Sequence, residues 1–194
     1  MKYLIVGLGN VGQEYEFTRH NIGFRVLDAL VKASNAFFEI DRYAYKTTIK
    51  HKGKILILIK PTTYMNLSGK SVKYWSNKEN IPIQNIFVIV DDIALPFGTI
   101  RIRFGGSNGG HNGLANIDEA LGSNNYPRMR FGIGNNFPKG KQADYVLSPF
   151  LPEEEKLLPF YIERMKNAIL TYVSNGIESC MNEYNKFVFP PSEQ

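Results

Sequence analysis

Residues 86–92 read Ile86-Phe87-Val88-Ile89-Val90-Asp91-Asp92, an apolar run that ends abruptly in two carboxylates. A strand with one wet face alternates apolar and polar residues. A run that stays apolar and largely β-branched has both faces covered, as central strands of α/β sheets do. Outward from this run, strands are predicted at Lys2 to Val6, Tyr43 to Lys50, Lys54 to Lys60, Thr99 to Phe104 and Arg128 to Gly134. Helices are predicted at Asn21 to Ser34, about Ser68 to Asn77, about Gly113 to Gly122 and Pro152 to about Asn175. The first shows its stripe at Ile22, Val26, Leu27, Leu30 and Val31, with Asn21 placed as N-cap. His51-Lys52-Gly53 reads as a hairpin turn, so at least one strand pair is antiparallel. The expected fold is α/β: a single three-layer domain over residues 1–194, built on a mixed, mostly parallel twisted sheet with helices on both faces. The tail from about residue 182 is expected to be loose.

Composition excludes several classes. The 194 residues are 43% hydrophobic and 13% aromatic, enough to bury a full core. There is no repeat, no linker rich in Pro, Gly and Ser, no signal-peptide pattern, and no apolar run near the ~20 residues that span a bilayer. One cysteine, Cys180, precludes an internal disulfide and suits a reducing cytoplasm. A net charge of +5 favours an acidic partner such as nucleic acid.

Open α/β sheets bind ligands beyond the carboxyl ends of their strands, where Asn10 and Asp91 both fall. Val6-Gly7-Leu8-Gly9-Asn10-Val11-Gly12 has the G-x-G-x-x-G spacing of a dinucleotide turn. That turn requires a helix starting at the third glycine to hold the pyrophosphate. Here Gln13-Glu14-Tyr15-Glu16-Phe17-Thr18-Arg19-His20 follows, two carboxylates without an apolar stripe, so the segment reads as a loop and a tight turn after the first strand is the better reading than a cofactor turn. Gly69-Lys70-Ser71 lacks the first glycine of a phosphate loop, since Tyr64 stands there, and no G-x-S-x-G elbow exists. His20, His51 and His111 lack metal-ligand spacing, and Cys180 reads as a buried structural thiol.

What remains is hydrolysis without a covalent intermediate. An imidazole with an ordinary pKa of ~6.5 takes a proton from water, a carboxylate holds the ring, and amides bind the carbonyl. His20, in a loop before a helix, is the candidate base; His111, beside Asn112, reads as mainly structural. Asp91 is the carboxylate expected to accept Nδ1–H and fix the tautomer.

The ordered stretches GLGNVGQEY, TRHNIGF, KPTTYMNLSG, VDDIALPFG, IRIRFGGSNGGHNGL, RMRFGIG and ADYVLSPF strongly resemble bacterial peptidyl-tRNA hydrolases from Met1 to about Asn175. The resemblance implies a monomeric, metal-free, cofactor-free cytoplasmic enzyme. It would cleave the ester between a peptide and the terminal ribose of tRNA, recycling tRNA from stalled ribosomes. It implies His20 as general base, Asp91 as the acid stabilising its basic form, and Asn10 as the residue separating blocked from unblocked aminoacyl-tRNA. Tyr15, Tyr64, Asn66 and Asn112 match positions that contact the peptide or the tRNA end.

Arg101 and Arg103 alternate on one strand, as do Arg128 and Arg130, so each pair is expected to project from one face toward tRNA phosphates. The resemblance singles out Arg103 and Arg130 for the 5′ phosphate, and the loop 135–144 with Lys139 and Lys141 is a candidate cover. Ala94 and Ala115 depart from an acidic residue and a lysine usual in the family, with looser support behind Asp91 and one fewer tRNA contact expected. The competing expectation is a non-catalytic RNA-binding protein on the same scaffold.

Overall fold

In the computed structural model, which describes residues 1–192, the 86–90 run lies inside a seven-stranded sheet. The strands are β1 (Lys2–Gly7), β2 (Glu39–Asp41), β3 (Ala44–His51), β4 (Lys54–Pro61), β5 (Ile86–Asp92), β6 (Ile100–Phe104) and β7 (Pro127–Gly132), in the order β2-β3-β4-β1-β5-β7-β6. Pairings β4·β1, β1·β5 and β5·β7 are parallel; β2·β3, β3·β4 and β6·β7 are antiparallel. The predicted turn at residues 51–53 joins β3 to β4, with Lys52 and Gly53 both at positive φ.

The helices are α1 (Ile22–Ala33), α2 (Ser68–Lys78), α3 (Asn112–Leu121), α4 (Gln142–Val146), α5 (Pro152–Glu155), α6 (Leu158–Asn175) and α7 (Ile177–Tyr184). Phe87 and Ile89 pack with α1 and α6 on one side of the sheet. Ile86, Val88 and Val90 pack with Val72 and Trp75 of α2 and Leu114 and Ile117 of α3 on the other. This double burial is why the strand carries no polar residue before Asp91. Each such side chain contributes roughly 1.5–3 kcal/mol by leaving water.

Beyond β2 and α4, which have no predicted counterpart, three segments differ from expectation. The helix expected from Pro152 to Asn175 is two helices, because Pro159 lies in the first turn of α6 and cannot donate to the turn before it. The 13–20 loop contains two short 3-10 turns, Gln13–Tyr15 and Arg19–Asn21. The chain from about 182 continues α7 to Tyr184, and the Asn185 amide then bonds edge strand β6: Oδ1 accepts from Ile102 N–H at 2.6 Å and Nδ2 donates to Ile102 C=O at 3.0 Å. Residues 186–192 form no helix or strand, and the last two residues of that expected tail, 193 and 194, lie outside the described residues. No helix among the described residues is long and apolar enough to cross a membrane.

Candidate active site

The turn after β1 explains the opening glycines. A Cβ on Gly7 would lie 2.3 Å from Gly23 O, and one on Gly9 would lie 2.9 Å from Asn21 Cγ, so both glycines let the chain press against the start of α1. Gly12, at φ 127°, reverses the chain in a region side chains avoid. Asn10 is thereby held at the rim, beside the end of β5.

A cleft of about 610 Å³ opens there, lined by Asn10, Tyr15, His20, Tyr64, Asn66, Asp91, Asn112 and Arg130. Eight of the nine residues singled out from the sequence thus meet in one cavity; Arg103 lies outside its lining. They come from separate elements: Asn10 from the turn after β1, His20 from the second 3-10 turn, Asn66 from a 3-10 turn (Met65–Leu67) after β4, Asp91 from β5, and Asn112 from the first position of α3.

His20 Nδ1 lies 2.8 Å from Asp91 Oδ1 and 3.0 Å from Oδ2, so Nδ1–H donates to the carboxylate. Nε2 is left without a hydrogen bond among the described residues. Asp91 is almost fully buried. His111, weighed from the sequence as mainly structural, in fact reaches the same carboxylate, with Nε2 3.0 Å from Oδ1. Its Nδ1 caps α3 by accepting from Leu114 N–H at 3.2 Å, which leaves the ring proton on Nε2, facing Asp91. The two imidazoles lie 4.9 Å apart. The signal for His111 was available in its position one residue before a predicted helix at the sheet's carboxyl edge.

The electrostatics follow from this packing. Burial disfavours the Asp91 carboxylate, but the charges and hydrogen bonds of His20 and His111 outweigh it and hold the group well below the usual carboxylate range. Burial also disfavours a charged His20, yet the charge and hydrogen bond of Asp91 prevail and raise its pKa above 6.5. His20, Asp91 and His111 bring their ligand atoms within 4.8 Å of one another and are the residues that could hold a metal. A cation there must displace two N–H donors from the carboxylate it needs.

Asn21 is a correction. It precedes α1, but its side chain makes no cap. The amide turns instead to Asn10, accepting from Asn10 N–H at 2.8 Å and donating to Asn10 C=O at 2.9 Å. The segment 135–144, a candidate cover from the sequence, contributes Gln142 and Ala143 to one wall of the cleft; Val146 and Leu147, from the end of α4 and the residue after it, complete that wall and carry no sequence expectation. Arg19, one residue before His20, ties that wall down. Its guanidinium lies 3.9 Å over the Tyr145 ring and donates to Tyr145 C=O at 3.1 Å and to Ser148 Oγ.

The arginines separate into two kinds. Arg101 and Arg103 are exposed on β6. Arg128, expected to face phosphates, is 0% exposed. Alternation put it on the face that α3 covers, and it donates to Gly106 C=O at 3.1 Å and Asn124 C=O at 2.6 Å with Asp118 3.7 Å away. Arg130 is partly buried, 3.6 Å from Asp92 and bonded to Ser107 C=O. Cys180 is buried in the α6–α7 contact, where burial pushes its thiol up to about 12.

Residues 4–192 match the family model described as peptidyl-tRNA hydrolase. A peptidyl-tRNA hydrolase of Cytophaga hutchinsonii is 55% identical over 185 residues, covering 95% of this chain and 98% of that protein. One of Bacteroides fragilis is 54% identical over 186 residues, covering 96% of this chain and 100% of that protein. Among solved structures, peptidyl-tRNA hydrolase from Acinetobacter baumannii superposes with a TM-score of 0.90 at 33% identity, covering 95% of each chain.

Proposed function

The chain belongs to the peptidyl-tRNA hydrolase family, and on that premise we propose that it frees tRNA from peptidyl-tRNA by general-base hydrolysis, with His20 as the base. The observation that carries the reading is the 2.8 Å contact between His20 Nδ1 and a buried, ionised Asp91, which leaves Nε2 as the only acceptor on the ring. Nε2 takes a proton from water while the water oxygen attacks the acyl carbon, and Asp91 stabilises the imidazolium. The tetrahedral intermediate then expels the ribose oxygen, which takes that proton back. The products are a peptide carboxylic acid, which ionises by releasing the water's second proton to solvent, and a tRNA with a free terminal hydroxyl. No bond forms between enzyme and substrate.

The amides of Asn10, Asn66 and Asn112 present donors and acceptors to a peptide backbone, which every peptide sequence shares. In this reading Asn10 tests for an acyl group on the amino nitrogen. Tyr15 and Tyr64 cover apolar groups at the junction of peptide and nucleotide, and the 80% exposure of Tyr64 suits a ring waiting for a partner. Arg103 and Arg130 take the 5′ phosphate. The protein acts as a monomer in the cytoplasm, recycling tRNA released from stalled ribosomes as peptidyl-tRNA.

The test is release of an N-blocked aminoacyl group from tRNA by the parent and by His20→Ala. The parent is expected to release it, with a loss of about 10²–10⁴-fold in kcat for the variant. Tight tRNA binding with no release by the parent would overturn the reading in favour of a non-catalytic RNA-binding protein.

A further inference from the structure

We infer that Asn21 is a positioning residue: its buried carboxamide fixes Asn10 against His20, so that the group testing the acyl nitrogen and the base reach the ester in one register. The inference rests on the reading of Asn10 as the residue facing the acyl group. Asn10 lies beyond the last ladder position of β1, and its own N–H and C=O bond no other backbone group among the described residues. The Asn21 side chain, 1% exposed, supplies both missing partners, as a neighbouring strand would.

The chemistry selects an amide. Only a side chain carrying a donor and an acceptor on one plane closes that pair of bonds; an aspartate offers acceptors alone and would set its charge against Asn10 C=O. Room for the amide depends on Gly9, where a Cβ would lie 2.8 Å from Phe24 Cδ1 as well as against Asn21. Asn21 is held on the base side by its covalent bond to His20 and by its N–H donating to Thr18 C=O at 3.1 Å. The helix gives something up for this: a good N-cap residue stands at the start of α1 and its side chain makes no cap. A site that forgoes a local stabilising contact at its most buried polar residue is one where the contact made instead has a use.

Asn21→Asp, which keeps the shape, and Asn21→Ala are compared with the parent on N-acetylated and unblocked aminoacyl-tRNA, with hydrogen exchange followed at the Asn10 amide. We expect Asn10 exchange to accelerate and kcat on the blocked substrate to fall about 10- to 100-fold through misplacement. We also expect the preference for blocked over unblocked substrate to shrink about tenfold. The pH midpoint set by His20 should hold in Asn21→Ala, which adds no charge and leaves the contact with Asp91 untouched. Parental selectivity in a folded variant with fast Asn10 exchange overturns the inference, as does unchanged exchange. If the parent itself releases nothing, the hydrolase reading fails separately, and the exchange measurement alone decides whether Asn21 holds Asn10.

Discussion

His111 donates from Nε2 to Asp91 Oδ1, the same oxygen that His20 Nδ1 reaches, at 3.0 and 2.8 Å respectively. The carboxylate is therefore clamped from two sides and cannot turn to follow one ring without losing the other. His111→Asn should separate its two duties, because asparagine remains a good N-cap for α3 but is too short for the imidazole's reach. We expect a melting temperature near that of the parent and kcat lower by about tenfold, the effect of one lost charge-assisted hydrogen bond. Equal kcat for variant and parent would remove His111 from the site's function.

Asp91→Asn removes the charge that raises the His20 pKa and leaves the burial that lowers it. The rise of kcat/KM with pH should therefore move to lower pH, while the plateau falls by about 10²-fold or more as the imidazolium loses its partner. A pH–rate profile reads both effects, and a midpoint moving upward would contradict the assignment.

The same pair makes stability depend on pH. Asp91 has a folded pKa below its ordinary 3.8, so its contribution is complete above 3.8 and is lost as pH falls through the folded value. His20 has a folded pKa above 6.5, so its contribution is complete below 6.5 and is lost as pH rises through the folded value. The excess melting temperature of the parent over Asp91→Asn should peak between pH 3.8 and 6.5 and shrink on both sides.

Arg103→Ala and Arg128→Met should behave oppositely. Loss of the exposed Arg103 leaves unfolding unchanged but weakens tRNA binding and lowers its salt slope by about 1. Loss of the buried Arg128 leaves the Gly106 and Asn124 carbonyls without their donor and Asp118 with the Tyr126 hydroxyl as its remaining partner, a destabilisation of about 3–5 kcal/mol in urea unfolding.

Because both N–H donors already occupy Asp91, dialysis against a chelator should leave turnover unchanged. Added zinc should inhibit by competing for His20 Nε2 and the carboxylate. A rate that falls on chelation and returns with metal would reverse this expectation.

The parts of the fold legible in the sequence were those with a strong period. Residues 86–90 announced a strand covered on both faces because both clusters of apolar side chains draw on it. The apolar stripe of α1 was equally plain. Glu39–Asp41 is exposed along its length and has no pattern to betray it. Alternation placed Arg128 and Arg130 on one face, but which residue α3 would cover depends on a packing that strand periodicity does not encode. In the site, His20 and Asp91 were legible by chemical type. The turning of Asn21 away from its helix depends on a contact with Asn10 across the intervening loop, which only the folded path creates.

The Asn185 carboxamide on Ile102 has a consequence for how copies of this chain meet. Strand β6 ends the sheet, and an unpaired final strand invites a stranger's backbone to zip onto it. By imitating one peptide unit of a strand that is not there, a single side chain fills the central rung of that five-residue border. Shortening the chain before Asn185 would thus reopen the border to edge-to-edge aggregation.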